Sequence, residues 1–299
     1  MRRWETEKQT GLLIGAGILV FVIALDVALI WWAVVRRLDI VTFLIGVWVL
    51  ISLTAAGIIG YWVYGLARSV YLLDRNALVI QWGPIEQTIP TQDIERVMVG
   101  EDLEGDVRFL GVRWPGLFVG YGEVPDAGET LFYGTQPPEE QLYIVTPGLT
   151  YGISPQGREE FVEALDQRIR MGPTQIVEHL TRRPRILDWE FWQDRLGLIL
   201  LGAGIVALVA LTGFLCLRFP AFPDQIAMRF DPQGNPYPAR AKGNLFILPL
   251  IGLLALSVNG VLGFVVRKYE PLVSYLLWGG SVLVQILVWA ATVNILLQA

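Results

Sequence analysis

The residues able to carry polar chemistry are few and scattered. The 299-residue chain has one histidine, His179, and one cysteine, Cys216. A nitrogen or sulfur metal centre needs several such ligands at short spacing, and a histidine-assisted nucleophile needs a paired, oriented histidine. Neither is expected, no cofactor is expected, and the chain reads as non-enzymatic. A lone cysteine forms no intrachain disulfide and leaves the redox compartment open. No phosphate-cradling glycine loop follows a strand. Gly111, Gly116, Gly120 and Gly122 alternate with aromatic and bulky apolar residues and read as strand turns. Two carboxylate pairs read as surface groups: Glu139-Glu140 follows two prolines in a loop, and Glu159-Glu160 falls in the first turn of a helix, where negative charge suits the dipole.

Asp26 differs, because it lies near the middle of an apolar run. An aspartate at a helix centre costs about 2.5 to 3.5 kcal/mol on insertion scales. Such residues face a bundle interior or an ion path. One reading is an intramembrane polar site with Asn259, Gln285 and Asn294 as partners; the other is a carboxyl that packs.

The elements that position these residues are membrane-length. About 20 apolar residues cross roughly 30 Å of hydrocarbon. Five segments qualify, at 11–35, 40–67, 196–217, 245–266 and 272–297, with a polar loop at 218–244. The chain is 54% hydrophobic, with mean hydropathy +0.49. Trp31, Trp32, Tyr61, Trp62 and Tyr64 fall near span ends, where amphipathic rings favour the interface. The first run is too long for a signal-peptide core and is followed by Arg36 and Arg37, so it reads as a retained helix. With the N-terminus inside, the inner flanks carry 11 basic residues against 6 outside. The positive-inside bias therefore puts residues 68–195 in the cytoplasm, against the contrary Arg36-Arg37 pair.

From Val70 the pattern turns to short alternating runs broken by Gly, Pro, Asp and Asn. Strands are predicted at 70–73, 78–82, 85–89, 94–99, 109–113, 117–121, 130–133, 142–145 and 149–153. Ser154 is placed as an N-cap with Pro155 at the first helical position. Phe161, Leu165 and Ile169, with Val162 beside them, line one helix face. The predicted fold class is an α+β membrane protein: five transmembrane helices plus a small β-barrel or bent sandwich closed by one helix. Its parts are 1–67, 68–171, a juxtamembrane linker at 172–195, and 196–299.

Two resemblances follow from particular residues. Tyr71-Leu72-Leu73-Asp74-Arg75-Asn76, Trp82-Gly83, Ile89-Pro90 and Asp93-Ile94-Glu95 resemble the opening of bacterial pleckstrin-homology-like domains over about residues 68–170. Asp74 and Asn76 suit a turn with positive φ, Pro90 stops a strand, and Asp93 can cap a short helical turn. The loop Phe222-Pro223-Asp224-Gln225-Ile226, with Phe230, Gly234 and Pro236, is similar to an uncharacterised bacterial membrane family, some of whose relatives are toxin-immunity or signalling proteins. That family more often has Leu at position 222 and His at 229, where this chain has Phe222 and Arg229, so no role of that histidine carries over. Together the resemblances imply a multi-pass protein of the bacterial inner membrane.

Charge narrows the partners. Residues 67–193 hold 11 arginines, no lysine and 20 acidic residues, a net −9. Each basic residue near an anionic membrane contributes about 1 kcal/mol of attraction, and an acidic domain is repelled. The first hairpin offers only Arg75. Phosphoinositide and nucleic-acid binding are therefore not expected. Arg182-Arg183-Pro184-Arg185 reads as a topology determinant. The lipid bilayer and protein partners, including copies of the chain, are expected. The leading reading is a membrane-anchored scaffold or sensor; the alternative is a small transporter or immunity protein acting through its helices.

Overall fold

The computed structural model describes residues 2–182, 190–227, 238 and 240–298. Among the described residues, five helices are long and apolar enough to cross a membrane, which is compatible with a multi-pass membrane protein. The chain divides into two units, Met1–Leu25 with Ser52–Asp188 and Asp26–Ile51 with Trp189–Ala299. Helices α1 (Gln9–Val35) and α2 (Ile40–Ala67) run through both.

In the first unit, β1 (Arg2–Glu5) precedes α1, and β2 (Val70–Leu73) follows α2 after two residues. Then come β3 (Ala77–Trp82), β4 (Ile85–Pro90), β5 (Arg96–Val99), β6 (Arg108–Trp114), β7 (Leu117–Val124), β8 (Gly128–Gly134), β9 (Leu142–Val145), β10 (Thr150–Ile153), α3 (Arg158–Met171) and β11 (Leu180–Arg182). They form two sheets, ordered β1-β2-β3-β4-β11 and β5-β9-β10-β8-β7-β6. All neighbours are antiparallel except β8 and β10. No closed barrel forms. Strands β4 and β5 are consecutive in the chain but lie in different sheets. Pro90, which has no amide to donate, ends β4, and a 3₁₀ turn over Thr91–Asp93 carries the chain across.

The core between the sheets holds Tyr71, Leu78, Ile89, Ile144, Tyr151 and Ile153, with Phe161 and Leu165 of α3 covering it. Ile169 is exposed, and Ala164 completes the buried face in its place. Helix α3 begins three residues later than the Ser154-Pro155 signal predicts. Ser154 Oγ instead accepts from the amides of Thr135 (3.2 Å) and Gln136 (3.3 Å). The N-cap is Gly157 at φ 70°, a left-handed conformation that favours glycine.

Strand β1 was not expected. It pairs with β2 from Arg2↔Leu73 to Glu5↔Val70. Trp4, 6% exposed, is buried in the core and meets Phe161 edge-on at 5.4 Å. Part of the predicted linker also joins this sheet, because β11 pairs with β4. Thr181 Oγ1 donates to Gln87 Oε1 at 2.6 Å. Of the four glycines read as turns, only Gly116 is in one. Gly111, Gly120 and Gly122 lie inside β6 and β7, where a Cβ on Gly122 would come within 1.9 Å of the Arg108 carbonyl oxygen.

The second unit contains α4 (Arg195–Arg218), a two-strand ribbon of β12 (Gln225–Ile226) and β13 (Arg240–Ala241), α5 (Ile247–Arg267) and α6 (Pro271–Gln298). Close packing and interhelical hydrogen bonds join these helices. Helix α6 supplies both: Trp278, Ser281 and Gln285 donate to the carbonyls of Gly260 (3.4 Å), Ala255 (3.3 Å) and Gly252 (2.9 Å) on α5. Trp289 donates to Ala207 of α4 at 3.0 Å. A Cβ on Gly263 would sit 2.1 Å from Trp278 Nε1, so glycine sets this approach.

Asp194 starts α4 by accepting from the Gly197 amide at 3.1 Å and forms an ion pair with Arg267 at the end of α5. The rings of Phe191, Tyr275 and Trp278 lie beside the Arg267 guanidinium, and Phe264 packs against Phe191 and Trp278. The Arg267 guanidinium lies 5.7 Å from the Phe191 and Trp278 ring centres. Burial pushes the Asp194 carboxyl up, but the Gly197 amide and Arg267 outweigh it and hold it below the ordinary aspartate range.

Candidate functional site

The β6–β7 hairpin turns through Pro115 and Gly116, the latter at φ 88°, as a type II turn with Pro and Gly in their preferred places. Side chains alternate across a strand, so Leu110, Val112 and Trp114 share one face with their partners Tyr121, Val119 and Leu117. Near the turn this face is core: Leu117 and Val119 are buried. One register step further it opens, leaving Leu110 59% and Tyr121 60% exposed. Tyr121 pairs with Leu131 of β8, and Leu131 with Tyr151 of β10. A cleft of about 530 Å³ lies here, lined by Tyr121, Leu131 and Leu149 and rimmed by Arg108, Glu123 and Glu129. Arg108 and Glu123 are 3.4 Å apart. Asp106 and Asp126 line an adjoining cleft with the same two residues.

Strand β6 is the outer strand of its sheet, and no described strand pairs with its far side. In a two-residue hairpin the residues flanking the turn bond to each other, and alternate residues turn their amides outward. Phe109, Gly111 and Arg113 therefore present backbone donors and acceptors beside the exposed apolar face.

The domain-opening residues serve the fold. The buried Tyr71 hydroxyl donates to the Tyr133 carbonyl at 2.6 Å and accepts from the Ser154 amide at 3.0 Å; burial pushes this phenol above its ordinary value. Asp74 is at the β2–β3 turn, but neither it nor Asn76 has positive φ; among described non-glycine residues only Asp126 does. Asn76 instead accepts from the amides of Thr174 (2.7 Å) and Gln175 (3.2 Å). Arg75 donates to the carbonyls of Gly172 (3.0 Å) and Met171 (3.1 Å), satisfying the end of α3. Pro90 closes β4, and Asp93 lies within the 3₁₀ turn, which has no side-chain cap. His179 Nε2 meets the Tyr151 hydroxyl at 2.7 Å. Among the described residues, no three His, Cys, Asp or Glu side chains gather as metal ligands would.

The positions read from sequence as an intramembrane polar site divide. Asp26 is 2% exposed, Gln285 is fully buried and Asn259 is half-buried, whereas Asn294 is exposed. Gln285 donates to the Gly252 backbone, and no hydrogen bond joins it to Asn259. Of the loop motif, Pro223 and Ile226 line a common pocket; Phe230, Gly234 and Pro236 lie outside the described residues. The resemblance of this loop to the immunity-related family thus stands on its residues alone.

Sequence reasoning missed the Leu110–Tyr121 face and the Asp194–Arg267 pair. Asp194 did carry a signal, being an N-cap residue type placed immediately before an apolar run.

A family model described as Bacterial PH domain matches residues 69–169. That stretch covers β2 through β10 and nearly all of α3, so the β domain is pleckstrin-homology-like, as its opening residues imply. No curated protein matches the chain, and no solved structure does.

Proposed function

We propose that this chain is a non-enzymatic scaffold or sensor, anchored in the bacterial inner membrane by five helices, whose pleckstrin-homology-like domain docks a protein partner. The observation that carries this reading is the exposed Leu110–Tyr121 pair beside the unpaired edge of β6. An edge strand offers backbone hydrogen bonds to an added strand, and the neighbouring face offers side-chain selectivity. Inositide binding is disfavoured by the net −9 of residues 67–193, and the single cation of the first hairpin, Arg75, is engaged at the end of α3. The side-chain hydrogen bonds from α6 to backbone carbonyls support packing over an ion path in the C-terminal helices.

A photo-reactive benzophenone residue in place of Tyr121 is expected to give a discrete cross-linked adduct in intact cells. Leu110→Glu should remove the adduct, while the same probe at Glu163 on α3 should give none. Absence of an adduct at Tyr121, or equal adducts at both positions, would count against the docking face.

Orientation rests on the 11 to 6 excess of basic residues on the inner flanks. The pairing of β1 with β2 supports two crossings between them, because the strands before α1 and after α2 share one sheet. In intact cells an impermeant thiol reagent should leave Asp126→Cys unmodified and label Lys242→Cys; the opposite pattern would invert the topology.

A further inference from the structure

The loop residues Pro223 and Ile226 have no part in the docking face, yet they frame a pocket of about 360 Å³ at one end of the helical unit. Its other walls are Phe214 of α4, Phe222, and Val293 and Leu297 in the last turns of α6. The volume falls in the range of about 300 to 1,000 Å³ usual for small-molecule sites. The lining is apolar apart from Arg218, at the end of α4. Among the described residues Arg218 makes no ion pair and no side-chain hydrogen bond. The nearby cation Lys242 is engaged, 3.1 Å from the Asp224 carboxylate and 3.4 Å from the Phe222 carbonyl.

We infer that this pocket holds an acyl chain of an acidic phospholipid, with the lipid phosphate at Arg218. The pocket lies where apolar helices end, the depth at which a lipid passes from chain to headgroup. The apolar walls remove the chain's surface from water, and the one cation at the mouth selects an anionic head. The C-terminal carbonyls of α4, and of α6 whose last turns line the same pocket, oppose an anion with roughly half a unit charge each. The full charge of Arg218 offsets this, and arginine adds two parallel hydrogen bonds to phosphate oxygens.

Native mass spectrometry of the full chain in mild detergent, titrated with phosphatidylglycerol or with phosphatidylcholine of the same chains, tests the site. The wild type should retain phosphatidylglycerol preferentially. Arg218→Gln should reduce that preference roughly fivefold, the effect of one basic residue near a headgroup, by lowering phosphatidylglycerol retention more than phosphatidylcholine retention. Val293→Trp, at a position 44% exposed, should fill the pocket and lower retention of both lipids. Leu297→Trp, at a position 81% exposed, repeats the block should the first variant fold poorly. Equal retention of the two lipids by the wild type, an unchanged preference in Arg218→Gln, or unchanged retention in the tryptophan variants would overturn the assignment.

Discussion

Trp4→Ala is expected to destabilise the β domain by about 3 to 5 kcal/mol, the usual loss for a buried tryptophan cut to alanine. Trp4 is the only buried residue of β1: Arg2 and Arg3 are exposed and Glu5 is half-buried. It packs edge-on against Phe161, whose helix covers the core, and an Arg2 guanidinium lies 4.2 Å from its ring centre. Removing the indole leaves β1 held by backbone pairing and surface ion pairs, each of which contributes at most about 1 kcal/mol. The expected signature is faster amide exchange in β2, the strand that β1 covers, together with a lower melting temperature. Wild-type exchange at Val70–Leu73 in the variant would show that β1 adds nothing to the sheet.

Arg267→Ala should cost about 3 kcal/mol in detergent-solubilised unfolding, the lower end of the range for leaving one partner of a largely buried pair alone. Asp194, with its side chain 8% exposed, would face the aromatic residues without its cation. The double variant Asp194→Asn/Arg267→Met should recover most of this loss, since an amide still caps α4 and a thioether still fills the space among Phe191, Phe264 and Trp278. Failure of the double variant to recover would shift the role from charge pairing to the guanidinium's contacts with the rings. The folded-state carboxyl of Asp194 titrates below its ordinary value. Its contribution is therefore present above an ordinary aspartate pKa of about 3.9 and is lost as pH falls through the depressed value. Unfolding measured across that acid window should show the loss in the wild type and none of it in the double variant.

The sequence was most legible where local pattern and final environment agree. Val70–Leu73 and Leu142–Val145 are short apolar runs bounded by polar residues, and both are strands at those bounds. The five long helices follow from apolar length alone. Strand β1 was not legible, because Arg-Arg-Trp-Glu has one apolar residue, and its extended form comes from pairing with β2 rather than from propensity. The start of α3 was misplaced because Ser154-Pro155 has the chemistry of a helix start, while the structure uses that hydroxyl across the domain on the amides after β8. The proposed docking face was hidden for another reason. Leu110 and Tyr121 alternate like any half-buried strand residues, and only the register shows that they extend past the end of the core.

The pairing of β1 with β2 also imposes an order on biosynthesis. Arg2–Glu5 is made before the two long helices, but its partner Val70–Leu73 follows both. At about 5 to 20 residues per second, the leading strand waits roughly 4 to 14 seconds for the chain segment that receives it. During that interval Trp4 has no core to enter, and Arg2 and Arg3 keep the waiting strand charged. The sheet is completed only after both helices have been synthesised, so it works as a clasp that closes behind a finished hairpin.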